Sequence, residues 1–182
     1  SADGASPESP DVLARQQFVV DDPLGGKNIM YDFHFYLPMS YTHQLVPWGS
    51  DKDGGRYPDA LRRENTYEAE GHYRRQPMPR DKAYLENEII YFSAFGKKNN
   101  APMNVGEWGA NPMTCVDNKG CFAYTADMIN LLHKHGLNYT FFTYDWIRIS
   151  DYEENELLGD YPGAADVIRD GMTRLFRAAL KN

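Results

Sequence analysis

The stretch Tyr31-Asp32-Phe33-His34-Phe35-Tyr36-Leu37-Pro38 decides how this chain is read. In the run from Asn28 to Tyr36, Ile29, Tyr31, Phe33 and Phe35 alternate with Met30, Asp32, His34 and Tyr36. A two-residue period that is hydrophobic on most positions of both faces predicts a strand sandwiched in a parallel sheet. His34 and Tyr36 then project from one face. Downstream, Met103 to Trp108 reads as a second strand, and Tyr139 to Tyr144, dominated by β-preferring side chains, as a third. In parallel α/β structures, sites form at the C-terminal ends of such strands.

Helical patterns separate these strands. Asp81 looks like an N-cap for a helix running to Gly96, with Leu85, Ile89, Phe92 and Phe95 at helical spacing. Phe122 to His135 repeats the pattern with Phe122, Ala126, Ile129 and Leu132, and Gly136 ends it. Pro162 suits the first turn of a last helix whose buried stripe is Val167, Ile168, Met172, Leu175, Phe176 and Ala179. Pro38 to Pro79 shows turn signals but no clear period, and is expected to be a functional or partly helical loop. Strands alternating with helices imply parallel strands joined by right-handed crossovers. Residues 1–10 read as a flexible N-terminal segment and 11–182 as a single domain.

The chain has 182 residues, enough for a substantial core, and 13 of them are tyrosine. Tyrosine-rich chains often line amphipathic clefts, because a ring can stack on a ligand while its hydroxyl bonds to it. A net charge of -7 argues against a nucleic-acid partner. No apolar run approaches the roughly 18 to 20 residues of a membrane span. Cys115 and Cys121, the only cysteines, flank a turn-forming stretch. Their spacing favours a small disulfide loop over two free thiols and does not match a zinc knuckle; such a loop contributes about 2 kcal/mol in the chain-entropy model. A disulfide would place the protein in an oxidising compartment.

Glu107 ends an otherwise apolar strand between Gly106 and Trp108. A buried acid is costly unless it is paired or functional. The plain alternatives are an ion-paired structural glutamate and, for His34, a buried histidine with a satisfied hydrogen bond. A His, a Tyr and a Glu at two strand tips nevertheless suggest carbohydrate chemistry. A metal triad of His43, His34 and Glu107 is disfavoured by the loop position of His43, and His133 and His135 point in different directions on a helix. No metal or cofactor is expected.

Several segments together resemble glycoside hydrolase family 5, the cellulase family: Asn28 to Pro38, Tyr41-Thr42-His43-Gln44, the Trp48 loop, Tyr57-Pro58, Pro102 to Ala110, and His133-Lys134-His135-Gly136 leading into Tyr139. The resemblance covers nearly the whole chain. It implies the sixth to eighth βα units of a (β/α)8 barrel, so that the fold is a partial TIM-type half-barrel. It also implies that Glu107 is the nucleophile of a retaining β-1,4-glucanase, that Tyr36 hydrogen-bonds it, and that His34 orients the acid/base carboxylate and the sugar. Trp48, Trp108, Phe142 and Trp146 become candidates for sugar stacking, with one alternative for Trp108, which directly follows Glu107: a place in the layer between sheet and helices.

The departures from the family pattern are specific. The acid/base glutamate belongs to an Asn-Glu-Pro motif that this chain lacks. Asn87-Glu88 lies in an expected helix and Asn155-Glu156 in an expected loop. The arginine near the nucleophile also comes from the first half of the barrel, and Phe142 stands where a tryptophan is expected. The resemblance therefore implies a secreted or extracellular β-glucan hydrolase half, acting on a polysaccharide or oligosaccharide, which needs a missing N-terminal half-barrel. The alternative is a non-catalytic half-barrel that self-associates as a homo-oligomer. Either way, an apolar inner sheet face and two open edges are expected to be covered by a partner.

Overall fold

The structure, a computed structural model, describes residues 19–20, 28–47, 49–66, 76–143 and 158–181. Residues 1–10 and Tyr144 lie outside them. Three parallel strands, β1 (Tyr31–Phe35), β4 (Met103–Trp108) and β5 (Asn138–Phe141), form one sheet in the order β1-β4-β5. Between them run α1 (Met39–Thr42), β2 (Asp59–Thr66), β3 (Gln76–Arg80), α2 (Lys82–Lys98), a 3-10 turn (Pro112–Cys115) and α3 (Cys121–Lys134); α4 (Ala164–Ala179) follows. The parallel α/β fold expected from the strand and helix periods is present, and the three strands do not close a barrel.

One face of the sheet is covered by helices. Phe33, Phe35, Met103, Val105 and Trp108 pack with Leu85, Ile89 and Phe92 of α2 and with Tyr124, Met128, Leu131 and Leu132 of α3. The Phe33 and Phe92 rings stack with centroids 3.8 Å apart. The Asp81 side chain accepts from Tyr84 N at 3.0 Å, so α2 starts where its cap predicts. The helix runs two residues beyond Gly96, with Lys97 and Lys98 in its last turn, favourable against the helix dipole. Gly136, at φ +65, supplies the left-handed turn that ends α3 and feeds β5. In α4, Ile168 and Met172 are buried as expected, whereas Val167 is 58% exposed and belongs to the outer face.

Two corrections concern shape. The region Pro38 to Pro79 is partly helical, as expected, through α1, but it is more than a loop. It contains an antiparallel pair, β2 and β3, held by the Arg80 guanidinium, which is fully buried and bonds Glu64 Oε1 at 2.5 and 2.8 Å and Ser40 Oγ at 3.0 Å. The uncovered sheet face is also not apolar: Asp32, His34, Asn138 and Thr140 are exposed there, with Asn104 and Glu107 partly so. Cys115 and Cys121 form a disulfide that closes the turn ahead of α3.

Candidate active site

The register between β1 and β4 shifts once. Phe33 pairs with Val105 but His34 pairs with Glu107, so Gly106 is an extra residue, a bulge in β4. Strict alternation from Met103 and Val105 would send Glu107 to the helix side and Trp108 to the open face. The bulge reverses this. Glu107 joins His34 on the open face, and Trp108 turns into the core opposite Phe35. A Cβ at position 106 would overlap the Asp32 carboxylate oxygens, so a larger residue here would displace that side chain from its place beside His34.

The site follows from that register. Tyr36 Oη donates to Glu107 Oε2 at 2.9 Å, and His34 Nδ1 lies 3.3 Å from the same oxygen. On the other edge of the imidazole, Nε2 is 3.9 Å from Asp32 Oδ2, whose partner oxygen accepts from Asn104 Nδ2 at 2.6 Å. Glu107 and His34 are 34% and 37% exposed, so the carboxylate is shielded but reachable. Burial, and then the Glu107 carboxylate it bonds, push the Tyr36 hydroxyl well above its ordinary ionisation range. It remains a donor.

Around this centre the rings of His43 and Phe142 meet Tyr36 edge-on, at 4.9 and 6.5 Å. Phe142 is 43% exposed, and its backbone N donates to Trp108 O at 2.9 Å, tying the end of β5 to the end of β4. A buried asparagine ties the other two tips together. Asn111 Nδ2 donates to Thr42 O and Gln44 O at 2.8 and 2.9 Å, while its Oδ1 accepts from Met113 N. The segment after Glu107 is thereby pinned to the segment after Tyr36.

Of the residues expected from sequence, His34, Tyr36 and Glu107 are brought together, and Phe142 borders them. Trp108 is not a stacking surface: it is fully buried, with Tyr139, Phe141 and Phe176 around its ring, because the bulge turns it inward. Trp48 and Trp146 lie outside the described residues. Asp32, Asn104, Thr42 and Asn111 were overlooked. Alternation alone puts Asp32 on the face of His34, so that signal was available; Asn111 carries no periodic signal. Elsewhere, His133 Nε2 meets Tyr139 Oη at 3.0 Å and His135 Nε2 meets Glu86 Oε1 at 2.8 Å, each bonded away from the sheet tips.

Known proteins bear on this arrangement. The family model of cellulase (glycosyl hydrolase family 5) matches residues 8–146. Among solved structures, the chain is similar to endoglucanase Cel5A from the hyperthermophilic Thermotoga maritima, at 22% identity and TM-score 0.49, over 69% of this chain and 35% of that one. A Cel5A structure in complex with cellobiose gives 21% identity and TM-score 0.48, over 69% and 35%. The cellulose synthase subunit Z from Clostridioides difficile gives 16% identity and TM-score 0.41, over 63% and 32%. The chain thus spans about a third of the length of these structures. No curated protein sequence matches it. With the family model matching most of its length, the chain belongs to the cellulase family, glycosyl hydrolase family 5.

Proposed function

We propose that the chain is the C-terminal part of a retaining β-1,4-glucan hydrolase in which Glu107 is the nucleophile. The observation that carries this is the double contact on Glu107 Oε2, from Tyr36 Oη at 2.9 Å and His34 Nδ1 at 3.3 Å. A nucleophilic carboxylate must be held in one rotamer, and a hydroxyl that donates to one of its oxygens does that. Glu107 would attack the anomeric carbon to form a covalent glycosyl-enzyme, which water then hydrolyses. Phe142, half-exposed beside Tyr36, would stack on a sugar ring.

Retention requires a second carboxyl about 5 to 5.5 Å from the first. Asp32 is one pleat earlier on β1, on the far side of His34 and engaged by Asn104, so it is poorly placed to protonate a leaving group above the strand tips. The acid/base is therefore assigned to a complementary half that pairs along β1 and β5, the outer strands of the sheet among the described residues. Without it, leaving-group departure loses on the order of 10²- to 10⁴-fold. The disulfide fits a secreted protein, the compartment in which a polysaccharide hydrolase meets its substrate.

The position of Asp32 favours one second reading, a half-barrel that binds glucan weakly and hydrolyses nothing. Activity on an aryl glycoside whose leaving group needs no proton separates the two. Turnover that is lost in Glu107→Ala supports the hydrolase; equal background in both proteins supports the binder.

A further inference from the structure

Every polar atom of Thr42 is engaged. The residue is 1% exposed. Its backbone N donates to Pro38 O at 3.1 Å, and its carbonyl accepts from Asn111 N at 2.9 Å and Asn111 Nδ2 at 2.8 Å. Its hydroxyl oxygen lies 2.6 Å from Tyr36 O and 2.9 Å from His43 Nδ1. A threonine hydroxyl has a single proton, and a carbonyl oxygen can only accept. The proton is therefore donated to Tyr36 O. The contact with His43 must run the other way, with Nδ1–H donating to a lone pair of Thr42 Oγ1. A neutral imidazole carries one N–H, so Nε2 is left as a bare acceptor. Burial lowers the pKa of His43 and keeps the ring neutral.

The place of the ring gives that acceptor a use. The His43 ring stands edge-on to Tyr36, whose hydroxyl holds Glu107 and whose ring also meets Phe142. A glycan presents hydroxyl donors in every direction. Around Glu107, the Tyr36 hydroxyl is already committed, and the carboxylate itself is the reacting group. We propose that Thr42 locks His43 in the Nδ1–H tautomer so that Nε2 is a fixed acceptor for a hydroxyl of the glycan lying beside Glu107. This rests on the glycan-binding reading above. Thr42 then acts twice, fixing the Tyr36 backbone and aiming His43.

Two-bond proton–nitrogen correlation spectra of histidine-labelled protein, with the His43 signals identified through His43→Gln, read the tautomer directly. The expected result is a protonated Nδ1 and a bare Nε2 whose resonance moves on addition of cellotetraose. A protonated Nε2 in the free protein overturns the proposal whether or not sugar binds. So does a bare Nε2 that stays still while calorimetry shows cellotetraose binding. Thr42→Val should weaken that binding about tenfold, the cost of one hydrogen bond. Thr42→Ser, which keeps the hydroxyl, should restore both affinity and tautomer. A Ser variant that behaves like the Val variant would show that only packing is involved. Wild-type protein that binds no cellotetraose refutes the glycan reading and the proposal together, whereas binding unchanged by Thr42→Val refutes the proposal alone.

Discussion

Replacing Tyr36 by Phe removes one hydroxyl and leaves the ring that His43 and Phe142 touch. The atom lost is the donor 2.9 Å from Glu107 Oε2, and the remaining contact on that oxygen is His34 Nδ1 at 3.3 Å. A hydrogen bond to a charged acceptor is worth about 1.5 to 3 kcal/mol. At 1.4 kcal/mol per factor of ten, that corresponds to a loss of roughly 10- to 150-fold in the rate at which Glu107 is glycosylated. Because Glu107 is one-third exposed, water can replace part of the bond, and the lower end of the range is expected. Folding stability should change by less than about 1 kcal/mol for the same reason. The assay is the burst of phenolate from dinitrophenyl cellobioside, with thermal unfolding measured in parallel. His34→Ala acts on the same oxygen, so the double variant should lose less than the sum of the two single losses. A Tyr36→Phe protein with an undiminished burst, or single losses that simply add, would refute the idea that the two side chains hold one carboxylate in place.

Other outcomes follow from the packing and the charges. Trp108→Ala should cost about 3 to 5 kcal/mol in urea unfolding, because the indole is buried in the core; folding stability left unchanged would mean that the ring faces the cleft after all. Glu64→Ala leaves the buried Arg80 guanidinium without its counter-ion and should cost about 3 kcal/mol, whereas an exposed pair would cost under 1. Tyr41, Tyr57 and Tyr124 are buried, and burial raises the pKa of each above its ordinary 10.0. Their contribution is complete below pH 10 and is lost above it, because the unfolded chain then releases protons that the folded one keeps. Stability should be level to about pH 9 and then fall by about 1.4 kcal/mol per pH unit for each tyrosine. A midpoint that is steady up to pH 11 would contradict the burial of these hydroxyls.

The parallel strands and the two helices between them were legible because their periods are set by burial on a covered sheet. Leu85, Ile89 and Phe92 had one apolar face to find, Asp81 marked the start of α2, and Gly136 marked the end of α3. The β2–β3 pair was not legible. Its stabilising contact is Arg80 with Glu64, charged residues that read as solvated loop until the partner is known. The neighbourhood of Glu107 was visible in residue types and strand ends, but its geometry depends on one inserted glycine. Counting by twos through Gly106 gives the wrong face for both Glu107 and Trp108. Only the pairing of His34 with Glu107 reveals the shift. Asn111 and Thr42 were silent for a related reason, since bonds between loops leave no period along the chain.

The most direct test of the nucleophile is covalent capture. A fluorinated cellobioside with a dinitrophenolate leaving group needs no acid to depart, so its reaction does not depend on an acid/base carboxylate. The account predicts a protein heavier by one fluoro-sugar, with the added mass mapping to the peptide that contains Glu107. Folded protein that stays unlabelled, or that carries the sugar on another residue, would contradict it.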